Sequence, residues 1–214
     1  MTDSQKPTFA EERQLWKQGC RLVAGVDEVG RGALAGPVCA AAVVLPAELK
    51  ASWLKDVRDS KLLSPKVRER LAEKIRKVAL GVGVGIISVE SINAFGIAVA
   101  TRMAMRQAID SLKVMPDTLL IDFFTLPDVN LPQKGVVDGD TLCFSIACAS
   151  IVAKVARDEL MTGFDRLYPG YALAENKGYG TGEHLECLRR LGPCAIHRHS
   201  FQPVKDALDG RHEA

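Results

Sequence analysis

An apolar segment that ends in two adjacent carboxylates limits this chain more than any other feature. Residues 21–27 (RLVAGVD) are rich in small and β-branched side chains and read as a strand. The strand closes on Asp27 and Glu28 and runs directly into VGRGALAG, a loop with three glycines. A second apolar strand, DTLLID at 117–122, also closes on an acid, Asp122. In open α/β sheets, sites gather at strand ends, where loops expose side chains and the sheet fixes their backbones. Acids at such positions are costly if buried unpaired. A hard divalent cation such as Mg²⁺ or Mn²⁺, which takes carboxylate oxygens and keeps several waters, removes that cost.

The rest of the chain supplies the remainder of an α/β domain. PVCAAAVVL (37–45) and GVGVGIISV (81–89) read as strands, and a brief strand is expected at 135–138. Ser64 followed by Pro65 marks a helix start, and Val67, Leu71, Ile75 and Val78 recur at helical spacing over 65–79. Further helices are expected at 90–113, at 141–165 with Asp140 at its start, at 183–191, and in a last turn after Pro203. A Gly- and Tyr-rich loop fills 168–182. Strands followed by strand–helix alternation predict a central mixed sheet flanked by helices, with a small C-terminal helical extension. With 214 residues, 47% of them hydrophobic, there is room for one domain with a real core. The expected layout is an N-terminal extension at 1–19, a catalytic domain at 20–207 and a tail at 208–214.

Charge is unevenly spread. Between Lys50 and Val78 stand ten basic and four acidic side chains, although the whole chain carries only +2. A basic face on an otherwise slightly acidic protein suits a polyanionic partner, and equally suits a solvated helix. No apolar run approaches the roughly 18 residues of a membrane span, and the polar first twenty residues hold no secretory core, so a cytoplasmic protein is expected. The six scattered cysteines then read as reduced thiols. The Cys187, Cys194, His197 and His199 cluster fits no standard zinc spacing.

Taken singly, each acid has an ordinary reading: Asp140 as a helix cap, Asp122 as the opening of a turn, Asp27-Glu28 as an exposed strand end. The surrounding sequence changes this. Gly25-Val26-Asp27-Glu28-Val29-Gly30-Arg31-Gly32, followed by Leu34-Ala35-Gly36-Pro37-Val38, closely resembles the opening signature of the type 2 ribonuclease H (ribonuclease HII) family. The resemblance continues in order through Asp59-Ser60-Lys61-Leu62-Leu63-Ser64, the run from Ser145 to Asp158, Asn176-Lys177-Gly178-Tyr179-Gly180-Thr181, and His199-Ser200-Phe201-Gln202-Pro203-Val204. Two positions depart from the family: Ile121-Asp122-Phe123-Phe124 stands where Val-Asp-Gly is usual, and Asn176 where histidine is frequent.

The resemblance implies a ribonuclease H-like fold and a metal-dependent endoribonuclease. Asp27, Glu28, Asp122 and Asp140 match the family's metal-binding carboxylates, for Mg²⁺ or Mn²⁺. The implied substrates are RNA–DNA hybrids and ribonucleotides embedded in duplex DNA, cut on the 5′ side to leave 3′-hydroxyl and 5′-phosphate ends, a chemistry of DNA replication and repair. The Gly30-Arg31-Gly32 backbone is implied to sense the ribose 2′-hydroxyl, and Tyr179 to pack on the next sugar. Ser150, Lys154 and Asp158 fall at i, i+4 and i+8 on one helical stripe, where Ser150 and Lys154 suit a phosphate or simply a solvated face. Lys61 and the basic helix after it suit duplex phosphates. A monomer is expected, with room for a sliding clamp as protein partner. The competing reading is a noncatalytic nucleic-acid-binding module on the same fold.

Overall fold

Runs of valine, isoleucine and alanine build one five-stranded sheet, and amphipathic helices cover both its faces. The computed structural model describes residues 6–47 and 49–210; residues 1–5 of the N-terminal extension and 211–214 of the tail lie outside the described residues. In chain order the elements are α1 (Ala10–Lys17), β1 (Val23–Val29), β2 (Val38–Val44), α2 (Pro65–Val78), β3 (Gly81–Ile87), α3 (Val89–Phe95), α4 (Ile97–Asp110), β4 (Thr118–Asp122), β5 (Gln133–Val136), α5 (Gly139–Leu142), α6 (Phe144–Leu167), α7 (Leu173–Asn176), α8 (Gly182–Leu191) and α9 (Gln202–Leu208). Short 3₁₀ turns occupy Ser52–Asp56 and Ser60–Leu62.

The strand order is β3-β2-β1-β4-β5. β2 is antiparallel to β1 and β3, whereas β1–β4 and β4–β5 are parallel, so the sheet is mixed as expected. Side chains alternate between the faces of a strand. Ala41 and Val43 of β2 therefore join Leu71 and Ile75 of α2 and Ile151 and Val152 of α6 in one core cluster. Ala40, Ala42 and Val44 join Ala100, Ala104 and Met105 of α4 on the other face. Among the described residues no helix is long and apolar enough to cross a membrane.

Two expected helices are each broken in two. The 90–113 helix parts at Gly96, whose φ of +79° separates α3 from α4. The 141–165 helix parts at Cys143, which is extended, leaving Asp140 in the four-residue α5. Ser64 does sit at the N-cap of α2 with Pro65 in its first turn, but its hydroxyl makes no capping hydrogen bond. Within the N-terminal segment, Glu12 of α1 is buried and accepts from the Ser145 backbone and hydroxyl, both at 2.7 Å, while Phe9 stacks on Phe144.

Candidate active site

Close approach of two backbones brings the acids together. A Cβ on Gly25 would lie 2.1 Å from the Ser145 carbonyl carbon, so only glycine lets the start of α6 press against β1. Two residues along the same face, Asp27 therefore meets α6, where the nearby Ser150 hydroxyl favours its charged form against the effect of burial. The parallel register pairs Val26 with Ile121, which sets Asp27 and Asp122 side by side at the ends of β1 and β4. Asp122 Oδ1 accepts from the Gly139 amide at 2.7 Å, and that bond carries α5 and Asp140 to the same place. Ligand oxygens of Asp27, Glu28 and Asp122 lie within 4.8 Å of one another.

Their electrostatics fit a cation. Burial first, then the charges of Glu28 and Asp122, pushes the Asp27 carboxyl well above its ordinary range. Glu28, Asp122 and Asp140 are also raised, each chiefly by burial. Glu28 Oε2 is buried and has no hydrogen-bond partner, an orphaned acceptor of the kind a hard ion satisfies. Asp140 Oδ2 pairs instead with Lys61 Nζ at 3.8 Å. Burial lowers the Lys61 pKa, but Asp140, Asp59, Asp27 and Asp122 outweigh it and the net shift is upward.

The four acids, Gly30, Arg31, Gly32, Lys61, Ser150, Lys154 and Tyr179 all line one cavity of about 540 Å³. Ser60 and Arg68 line it too, and neither had stood out in the sequence as a site residue. Their signal was present in Asp59-Ser60-Lys61 and in the first turn of the basic helix. Ser60 Oγ lies 3.0 Å from Ser150 Oγ, and Arg68 binds the Ser60 carbonyl at 2.9 Å and the Asp158 carboxylate at 3.3 Å. Lys154 donates to the other Asp158 oxygen at 2.7 Å. Ser150 and Lys154 of the α6 stripe thus face the cavity, and Asp158 ties Lys154 to Arg68 beside it.

The glycine loop is held by two fully buried arginines. Arg157 donates to the carbonyls of Pro37, Lys177 and Ala35, and Arg198 to those of Gly36, Arg31 and Pro37. A Cβ on Gly30, at φ +87°, would fall 2.1 Å from Arg157 Nε. Arg157 also lies against the Tyr179 ring, its Cζ 5.4 Å from the ring centroid, with Lys154 Nζ at 5.8 Å. His184, His197, Cys187 and Cys194 gather elsewhere, around Tyr171. His197 is buried but His199 is exposed, and among the described residues the metal-ligand group contains acids alone.

A family model described as Ribonuclease HII matches residues 24–204. A relative named Ribonuclease HII from Dehalococcoides mccartyi is 57% identical over 204 residues, covering 95% of this chain and 96% of its own length. The PCNA:RNase HII complex from Archaeoglobus fulgidus superposes with a TM-score of 0.71 at 25% identity, over 90% of this chain and 98% of that one. Ribonuclease H2 from Pyrococcus horikoshii gives 0.72 at 23% identity, over 88% and 97%, which bears out the expected ribonuclease H-like fold. With a family model spanning most of its length and a relative more than half identical to it, the chain belongs to the ribonuclease HII family.

Proposed function

We propose that this chain is a metal-dependent endonuclease that hydrolyses the RNA strand of RNA–DNA hybrids and cuts on the 5′ side of ribonucleotides embedded in duplex DNA. The observation that carries the reading is the convergence of Asp27, Glu28 and Asp122 around an orphaned buried oxygen, in a cavity shared with Lys61 and Tyr179. Asp27, Glu28, Asp122 and Asp140 would hold the divalent ions, with Mg²⁺ or Mn²⁺ the class suited to an all-carboxylate set. Bound there, such ions supply an activated water and neutralise charge developing on the phosphate.

The protein's own groups bind and orient. Lys61 and the α2 arginines and lysines suit the phosphates of the duplex. Ser150 and Lys154, on the cavity side of α6, suit the phosphates beside the scissile bond. The Gly30–Gly32 backbone suits a ribose 2′-hydroxyl: a Cβ on Gly32 would meet nothing within 4 Å, so approach is open there, while Arg157 fills the bare side of Gly30 and fixes the loop. Tyr179 suits the following deoxyribose, where an extra hydroxyl would collide with its ring. Residues 20–207 would form the catalytic unit, acting as a monomer in the cytoplasm. The PCNA complex of the Archaeoglobus relative supports a clamp partner as well.

The test is cleavage of a DNA duplex carrying one ribonucleotide, with and without Mg²⁺ or Mn²⁺. Metal-dependent cutting 5′ to the ribonucleotide is expected. Tight binding of that duplex with no cutting under either ion would favour the noncatalytic module.

A further inference from the structure

Two histidines outside the cavity form a directional chain that ends on the Tyr179 loop. His184, in the first turn of α8, and His197 are both fully buried. Their Nε2 atoms are 3.2 Å apart. The Cys194 backbone N–H donates to His197 Nδ1 at 3.0 Å, so that nitrogen is an acceptor and the His197 proton sits on Nε2. The Tyr179 carbonyl can only accept, so at 2.9 Å His184 Nδ1 carries the proton and its Nε2 offers a lone pair. Neutral His197 therefore donates to neutral His184, which donates to the Tyr179 carbonyl. Every ring nitrogen has a partner of the right kind.

The chain closes a ring around the two recognition loops. His197 is bridged antiparallel to Ala35 of the glycine loop. The Leu34 and Ala35 amides both donate to the Gly178 carbonyl, at 2.7 and 3.2 Å. Gly178 adjoins Tyr179, whose carbonyl is the acceptor of His184. Asn176 fixes the other end of the turn, donating to the Tyr171 carbonyl and accepting from the Gly178 amide. Apolar side chains would fill the same volume without burying polar atoms at a cost. What they would lack is a directed hold on one backbone oxygen.

We propose that the His184–His197 pair is a positioning device that sets the Tyr179 ring against the glycine loop, and so sets the preference for an embedded ribonucleotide over a continuous hybrid. This rests on the reading of Tyr179 given above. The readout is the ratio of cleavage rates on the two substrates at matched metal and salt, for the wild type, Tyr179→Ala, His184→Gln and His184→Asn. The asparagine amide nitrogen falls near the Nδ1 position and keeps the bond to Tyr179; glutamine reaches toward His197 but gives up that bond. His184→Gln should lower the ratio roughly fivefold, the scale of one net hydrogen bond, and His184→Asn should restore most of it.

A fall in both rates with the ratio unchanged would make the pair ordinary core and overturn the proposal. So would equal ratios for His184→Gln and His184→Asn. Should His184→Gln fail to fold, His197→Leu removes the donor to His184 while filling the space, and an unchanged ratio there is equally fatal. If Tyr179→Ala itself leaves the ratio intact, the reading of Tyr179 has failed; if it lowers the ratio and the histidine variants do not, the positioning proposal alone has failed.

Discussion

Arg157 and Arg198 donate to a single acceptor, the carbonyl oxygen of Pro37, at 2.9 and 3.1 Å. Two buried guanidiniums converge there because the backbone turns its carbonyl oxygens toward them, supplying the negative ends that the charges need. Arginine suits this duty because its planar fork reaches several acceptors at once, whereas an ammonium is a compact point charge.

Arg157→Lys should therefore destabilise the protein by about 3 kcal/mol, since it leaves buried carbonyls unpaired. Urea unfolding measures this directly. A midpoint equal to wild type would show that the three bonds to Pro37, Lys177 and Ala35 contribute little to the fold.

Neutralising a central carboxylate should separate activity from stability. Asp27→Asn or Asp122→Asn should cut the rate by several orders of magnitude while leaving duplex binding largely intact, because an amide is a poor ligand for a hard ion. In chelator, Asp27→Asn should melt at a higher temperature than wild type. The Asp27 pKa is raised by burial and by Glu28 and Asp122, so the folded state favours the protonated form. Its contribution is therefore present at low pH and lost as pH rises through the raised value. The gain in melting temperature should appear at pH 8 and vanish near pH 4. A wild type more stable than the variant at pH 8 in chelator would contradict the mutual repulsion.

The basic helix makes a salt-dependent prediction. Reversing several of Lys66, Arg70, Lys74 and Lys77 should weaken hybrid binding and flatten its dependence on salt by about one unit of slope for each phosphate no longer neutralised. An unaltered slope would return α2 to solvated surface.

His197 carries a second pH signature. Burial, then His184, lowers its pKa from 6.5 to about 4. A depressed histidine favours the neutral form in the folded state, so its contribution is complete above pH 6.5 and is lost as pH falls toward 4. The loss attributable to this group is on the order of 3 kcal/mol. Chemical unfolding at intervals across that window should show the decline, and His197→Gln should flatten it. An identical slope in the variant would assign the acid sensitivity elsewhere.

Phe123 holds a positive φ of +67° immediately after Asp122 and is well exposed. That conformation suits glycine and costs an aromatic residue about 1 kcal/mol. It accounts for the glycine usual here in the family's Val-Asp-Gly. Phe123→Gly should raise stability by up to about 1 kcal/mol in urea unfolding. A drop in stability would mean that the exposed ring makes interactions worth more than the strain.

The strands and their terminal acids were legible because an apolar run stopped by a carboxylate is written in consecutive residues. So were α2, from its Pro65 start and regular apolar spacing, and the C-terminal helices. The breaks at Gly96 and Cys143 were not, since both lie inside sequences whose helical pattern continues across them. The roles of Arg157 and Arg198 were hidden for a different reason. Apart from the Lys177 carbonyl, their partners are backbone oxygens of the 31–37 loop, more than 100 positions away, and no side chain there signals the bond. The histidine pair was hidden likewise, because its acceptor is the carbonyl of Tyr179 and not the ring that marked that residue.

The wide spacing of the acids along the chain has a consequence for synthesis. Asp27 and Glu28 leave the ribosome early, but β4, which pairs with β1 and brings Asp122, follows roughly 90 residues later, and Asp140 and the Tyr179 loop later still. While residues 29–121 are being added, the growing polypeptide carries two of its four acids and lacks the strand that assembles them. A site built in this order is complete only once Asp140 and the Tyr179 loop have emerged and closed beside Asp27.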